Sequence, residues 1–127
     1  MIIPDLFIGE SAGRGRGVFT SVALAADTTV ELSPVIVMNG EERKLIDQTR
    51  LHDYIFEWGY DHLECCMAMG YVPVYNHSYT SNCEYEMDYE NELIRVRTVR
   101  DIQAGEELFI NYNGDWNDSK KLWFEAS

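Results

Sequence analysis

With 127 residues, 46% of them hydrophobic and 25% charged, the chain has the size and balance of one globular domain and too much apolar material for a disordered tail. Its formal net charge of -12, from 22 acids against 10 bases, repels phosphate backbones and attracts basic polypeptide segments, which sets direct nucleic-acid binding aside. The longest apolar runs, such as Pro34 to Met38, fall short of the ~20 residues that span a bilayer, and Met1 to Gly9 carries Asp5 and no basic region, so an intracellular protein without a membrane anchor is expected.

Short runs of strand character separated by turn residues, with one clear helical stretch, predict a mainly β domain. Leu6 to Ile8 opens the first strand and leads into Ser11-Ala12-Gly13-Arg14-Gly15-Arg16-Gly17. Its alternate glycines admit backbone conformations that larger residues avoid, so main chain can come close to a ligand there. Val18 to Thr20, Thr28 to Leu32 and Val35 to Met38 read as further strands. A helix follows, with Asn39 as its cap, Glu42 completing a capping box, and Leu45 and Ile46 as an apolar stripe ending near Gln48. From Asp53 to Trp58 the aromatics Tyr54, Phe56 and Trp58 alternate, which predicts a strand with one aromatic face lining a core or a pocket. Glu84 to Val99 reads as a hairpin turning at Glu90-Asn91. That register sets Glu84 opposite Arg97, Tyr85 opposite Val96, Glu86 opposite Arg95 and Met87 opposite Ile94. Two of the acids between positions 84 and 92 therefore have arginine partners, and the run is a poor candidate for a substrate patch.

The cysteines Cys65, Cys66 and Cys83 are odd in number, two are adjacent, and none forms a Cys-x-x-Cys pair, which points to a reducing compartment. His52 and His62 are not spaced with those thiols as zinc ligands are, and no metal is assigned.

Three segments carry more than composition does: Gly15-Arg16-Gly17-Val18-Phe19; Tyr75-Asn76-His77-Ser78-Tyr79-Thr80-Ser81-Asn82-Cys83; and Gly105-Glu106-Glu107-Leu108-Phe109-Ile110-Asn111-Tyr112. In this order and spacing they resemble the SET domain family, over most of the chain from about Asp5 to Trp116. The expectation is a single domain over residues 1–127. The form most resembled is that of the short viral and bacterial SET proteins, since no cysteine-rich segment follows Tyr112. The sequence departs from the family's usual motif at Tyr79, where a cysteine is common, at Ser81, where a proline is common, and at Asn111, where an acid is common.

The resemblance implies a β-clip-like SET fold of short strands, one or two short helices and a threaded C-terminal segment. It also implies S-adenosylmethionine-dependent methyl transfer to a lysine side chain of a protein, a histone or other basic protein among the candidates. Such a transfer is an in-line displacement at a sulfonium methyl, which needs a neutral amine, a line of attack and a poorly hydrated channel, and no nucleophilic residue. Tyrosines suit that channel, because ring faces tolerate a cationic product while hydroxyls orient the amine.

Tyr112 matches the family's catalytic tyrosine. Tyr54 and Tyr85 resemble channel tyrosines, with core packing as the open alternative for each. Asn76 and His77 match the pair that holds the cofactor. Gly15, Arg16 and Gly17 are expected to approach it through backbone atoms, and Trp116 to pack on the adenine or close the channel, a core or dimer contact being the alternative. Gly17 is followed by Val18 rather than Lys-Ser/Thr, which rejects a phosphate-binding P-loop. A peptide-binding module without turnover keeps the fold but makes little use of Asn76, His77 and Tyr112. A cysteine hydrolase pairing Cys83 with His77 lacks an activating third group. The small size is compatible with a homodimer, and the residence of the protein is expected to be cytoplasmic in a bacterium and nuclear in a eukaryote.

Overall fold

The computed structural model describes residues 1–112. Nine strands and one α-helix order the described residues. They are β1 (Leu6–Ser11), β2 (Gly15–Thr20), β3 (Thr29–Met38), α1 (Gly40–Ile46), β4 (Phe56–Trp58), β5 (Glu64–Ala68), β6 (Asn76–His77), β7 (Cys83–Asp88), β8 (Leu93–Thr98) and β9 (Glu107–Ile110). Two sheets result, one in the order β1-β2-β9-β6 and one in the order β4-β5-β3-β8-β7. The mainly β architecture matches the expectation. Alternation along β8 buries Ile94, Val96 and Thr98, while β2 contributes Val18 and β9 contributes Leu108 and Ile110 to the same fully enclosed cluster.

The hairpin has the predicted register, with Glu84 opposite Arg97, Glu86 opposite Arg95 and Met87 opposite Ile94. Arg97 pairs with Glu84 and also reaches Asp27 at 2.7 Å, while Arg95 lies 3.6 Å from Glu86. The capping box of α1 is present as well: Glu42 N–H donates to Asn39 Oδ1 at 2.9 Å, and Asn39 N–H donates to Glu42 Oε1 at 3.0 Å. Its apolar stripe is not. Leu45 is 67% exposed, and no residue of α1 is buried. The helix is held from the side instead, by the Arg43 guanidinium donating to the carbonyls of His62 at 2.8 Å and Glu64 at 3.3 Å.

Two further readings are corrected. Thr28 to Leu32 and Val35 to Met38 are not separate strands but halves of β3, one pairing with β8 and the other with β5. Pro34 lies at the change of partner, where its missing N–H interrupts neither ladder at its centre. The segment from Asp53 is a strand only from Phe56. Thr49 Oγ1 accepts the Leu51 N–H and starts a 3-10 turn over Arg50–Asp53, which Tyr54 closes by donating its N–H to the Leu51 carbonyl.

One acid is wholly enclosed. Glu31 on β3 accepts hydrogen bonds from Ser33 Oγ at 2.5 Å, Tyr71 N–H at 2.7 Å, Val72 N–H at 3.2 Å and the Tyr75 hydroxyl at 2.9 Å. A buried carboxylate survives only with such a donor set. Gly70 passes so near Ser33 Oγ and the Glu31 carboxylate that no side chain fits at that position. This cluster fixes the segment leading into β6.

Candidate active site

The site is organised around β6, a strand of two residues running parallel to β9, with Asn76 opposite Phe109 and His77 opposite Ile110. The second and third motifs therefore lie side by side.

On one side of β6 lie polar groups. Asn76 Nδ2 donates to the Arg16 carbonyl at 3.1 Å and to Glu107 Oε2 at 2.8 Å, while Glu107 Oε1 accepts from the buried Ser11 hydroxyl at 2.6 Å. Arg16 and Glu107 offer only acceptors there, so the amide must present its NH2 to them. A Cβ on Gly17 would fall 2.9 Å from Asn76 Nδ2 and run into the Glu107 carboxylate. Gly17 has no special backbone angle, so its lack of a side chain is a matter of space. Gly15 differs: it has a φ of 78° with open space around it, and serves the turn from β1 to β2. Asn82 ties the wall together, donating from Nδ2 to the Glu107 carbonyl at 2.9 Å and accepting the Phe109 N–H at 2.8 Å.

On the other side lie aromatics. The Tyr112 hydroxyl donates to the Tyr75 carbonyl at 2.7 Å, and the Tyr85 hydroxyl donates to the Tyr112 carbonyl at 3.1 Å. Phe56 meets both rings edge-on, 5.1 Å from Tyr85 and 6.3 Å from Tyr112 between centroids. Burial, with Tyr54 as a second cause, pushes the Tyr112 phenol up to about 12, and burial raises Tyr85 as well. Both are neutral at physiological pH. His77 connects the two sides, because its Nδ1 accepts the Tyr112 N–H at 3.0 Å. Burial lowers its pKa, so the ring is neutral and carries its proton on Nε2.

Of the residues expected from sequence, Arg16, Gly17, Asn76 and His77 therefore converge, as do Tyr112 and Tyr85. Tyr54 stands at the end of the 3-10 turn, near enough to Tyr112 to add to the rise that burial gives that phenol's pKa, and is 40% exposed. Gly15 stands apart from the packed polar cluster. Trp116 lies outside the described residues. Sequence reasoning gave no role to Phe56, Glu107 or Ser11. Phe56 had a signal in the aromatic alternation of residues 54–58, and Glu107 one in the third motif, whereas Ser11 had none. Cys83 is fully buried and its thiol is pushed up to about 12, mainly by burial, the opposite of an activated nucleophile. Among the described residues no three His, Cys, Asp or Glu side chains are placed to hold a metal ion, and no helix is long and apolar enough to cross a membrane.

The groups left over are one acceptor and one donor that could hold a polar ligand. Among the described residues, Asn76 bonds only through Nδ2, which leaves Oδ1 to accept from an ammonium. His77 Nε2 is buried without a partner there, a donor available to a ligand acceptor. The departures from the usual motif also fit together: Asn111 Nδ2 donates to the Tyr79 carbonyl at 3.4 Å, a bond no carboxylate could donate, and Ser81 Oγ donates to the Cys83 carbonyl at 2.7 Å.

Comparison with known proteins places the chain among relatives of one kind. The family profile described as SET domain matches residues 15–113. A Schizosaccharomyces pombe protein named as a histone-lysine N-methyltransferase specific for lysine 37 of H3 is 35% identical over 126 residues, 98% of this chain and 80% of that one. A Plasmodium falciparum crystal structure, provisionally assigned as a histone methyltransferase, superposes with a TM-score of 0.68 at 26% identity, covering 91% of this chain and 98% of that one. The Chaetomium thermophilum Polycomb Repressive Complex 2 bound to an inhibitor shares the fold, with a TM-score of 0.69 at 20% identity over 84% of this chain and 14% of that one.

Proposed function

From the premise that the chain belongs to the SET domain family and is a protein-lysine N-methyltransferase, we propose that it takes the methyl group from S-adenosylmethionine and transfers it to a lysine of a basic protein, histone H3 first among candidates. The observation that carries this reading is the double attachment of β6. Asn76 is held with an acceptor open for an ammonium, and the next residue, His77, fixes the backbone of Tyr112. When bound, S-adenosylmethionine supplies an electrophilic methyl on a sulfonium. Asn76, His77, Gly17 and the Arg16 backbone would hold it, with Gly15 shaping the turn before them.

Tyr112 then acts as a positioned neutral phenol. Its proton is committed to the Tyr75 carbonyl, so toward the amine its oxygen acts as an acceptor that orients the lone pair. A phenol that ionises near 12 is no general base at neutral pH. The lysine must lose its proton through the channel, where Phe56, Tyr85 and Tyr54 disfavour the ammonium by excluding water. The net charge of -12 favours approach of a basic tail. A histone substrate would place the protein in the nucleus. The unit we propose spans residues 1–127, with a homodimer as its assembly.

The test is transfer of radiolabelled methyl from S-adenosylmethionine to histone H3, with ribosomal proteins as a second panel. Labelled lysine supports the reading. Cofactor binding without transfer to any basic protein would instead make the chain a peptide-binding module.

A further inference from the structure

The orientation of the Asn76 amide is imposed by a neighbour. An asparagine side chain has nearly the same shape either way round, so the end that faces a ligand is decided by what holds the other end. Here that is the Arg16 carbonyl and Glu107 Oε2, while the second Glu107 oxygen is anchored by the buried Ser11 hydroxyl. Ser11, Glu107 and Asn76 come from β1, β9 and β6 and form one hydrogen-bonded line across the smaller sheet. Gly17 on β2 leaves the space that the carboxylate and the amide occupy.

The geometry points to Glu107 as a positioning residue for the cofactor: through its Oε2 it holds Asn76 so that Oδ1 faces the ammonium of the amino-acid end, and Ser11 holds Glu107. The inference rests on the proposed reading of Asn76 as a cofactor ligand. Glu107 does not touch the cofactor in this scheme. What it must supply is an acceptor rather than a charge.

Calorimetry on the full chain, with two ligands, tests this. S-adenosylhomocysteine carries the amino-acid end, and 5′-deoxy-5′-methylthioadenosine lacks it. Glu107→Met should weaken S-adenosylhomocysteine about tenfold, the scale of one buried hydrogen bond to a polar ligand, and leave methylthioadenosine unchanged. Glu107→Gln should restore binding to within about threefold, since its carbonyl can face Asn76 while its NH2 faces the Ser11 oxygen. In an Asn76→Ala background, Glu107→Met should add nothing further.

Unaltered affinity of Glu107→Met, equal loss for both ligands, or a Glu107→Gln variant as weak as Glu107→Met would each overturn the inference while Asn76→Ala still weakens S-adenosylhomocysteine. If Asn76→Ala itself binds normally, the reading of the cofactor site falls, and this inference with it. Should Glu107→Met fail to fold, Ser11→Ala keeps the carboxylate and removes its anchor. It should weaken S-adenosylhomocysteine about threefold, methylthioadenosine being unaffected, and no change in either would overturn the clamp.

Discussion

The two sides of β6 are built by different physics. On the side of Gly17, Asn76 and Glu107, position is set by hydrogen bonds: the Ser11 hydroxyl and the Asn76 NH2 have named acceptors, and one amide oxygen is left over. On the side of Tyr112, Tyr85 and Phe56, position is set by ring packing, and burial raises the pKa of both phenols, which keeps them protonated further into the alkaline range. The contrast implies a division of labour. Damage to the polar side should appear in cofactor affinity, and damage to the aromatic side in the rate of the bound complex.

The largest expected effect is at Tyr112. Removing its hydroxyl in Tyr112→Phe leaves the ring against Phe56 and the backbone bond to His77, but takes away the oxygen proposed to orient the amine. A loss of roughly 10²-fold in kcat with nearly unchanged S-adenosylmethionine affinity is expected, because that interaction is strongest in the transition state. Single-turnover kinetics beside calorimetry checks the split, and a variant that loses affinity instead would erase the distinction between the two sides.

Next in size is Gly17→Ala. Its new Cβ collides with the Glu107 carboxylate and crowds Asn76, so cofactor affinity should fall about tenfold, the scale of one displaced hydrogen bond, with kcat at saturation little altered. Gly15→Ala is the control. With a φ of 78° and open surroundings, it should cost roughly 1 kcal/mol of stability through backbone strain and leave affinity nearly intact. Thermal melts and binding curves on both variants separate the roles of two glycines that the motif presents as equivalent.

How much of this was legible in the sequence follows from the range of the interactions. The β7–β8 hairpin could be read because Glu84, Glu86, Arg95 and Arg97 announce their partners within one turn, and the α1 cap because Asn39 and Glu42 are three residues apart. The segment before Phe56 misled because Thr49 caps a 3-10 turn, while the aromatic alternation that suggested a strand is real only from Phe56 to Trp58. Glu31 was invisible as a special acid in a chain with 22 of them, and the third motif marked Glu107 without showing what it holds. Glu31 is buried by amides and a hydroxyl that arrive some 40 residues later, and the hydroxyl of Ser11 is 96 residues from Glu107. The motifs located the tyrosine and the asparagine; only the fold reveals what holds them.

Acidity and alkalinity should probe the two sides separately. At high pH the activity is expected to rise as substrate lysine loses its proton and then to level off, with no falling limb from Tyr112 below about pH 11, since its phenol stays protonated up to about 12. A falling limb near pH 10 that vanishes in Tyr112→Phe would contradict the burial of that hydroxyl. At low pH the sign is set by His77, whose folded pKa lies below its ordinary value. The unfolded chain therefore takes up the proton first, so the stability contributed by neutral His77 is complete above about pH 6.5 and is lost as pH falls from there through the folded pKa. Melting temperature should drop across that window, and less steeply in His77→Gln, which can still accept the Tyr112 N–H.

The smallest effect expected is one of product rather than rate. Tyr85 fills space beside Phe56 and places its hydroxyl against the Tyr112 carbonyl, so on the proposed reading it narrows the volume in which a methylated amine must turn to present its lone pair again. The unmodified enzyme is therefore expected to yield mainly mono- and dimethyl-lysine. Tyr85→Phe removes one oxygen and releases the Tyr112 carbonyl without emptying the ring's place, and should shift products towards dimethyl- and trimethyl-lysine while changing the first transfer by no more than about threefold. Mass spectrometry of a methylated peptide over time reads this directly. Trimethyl-lysine as the main product of the unmodified enzyme would show that Tyr85 leaves the channel open, and an unchanged product distribution in Tyr85→Phe would assign the restriction to the ring of Phe56 or Tyr54 instead.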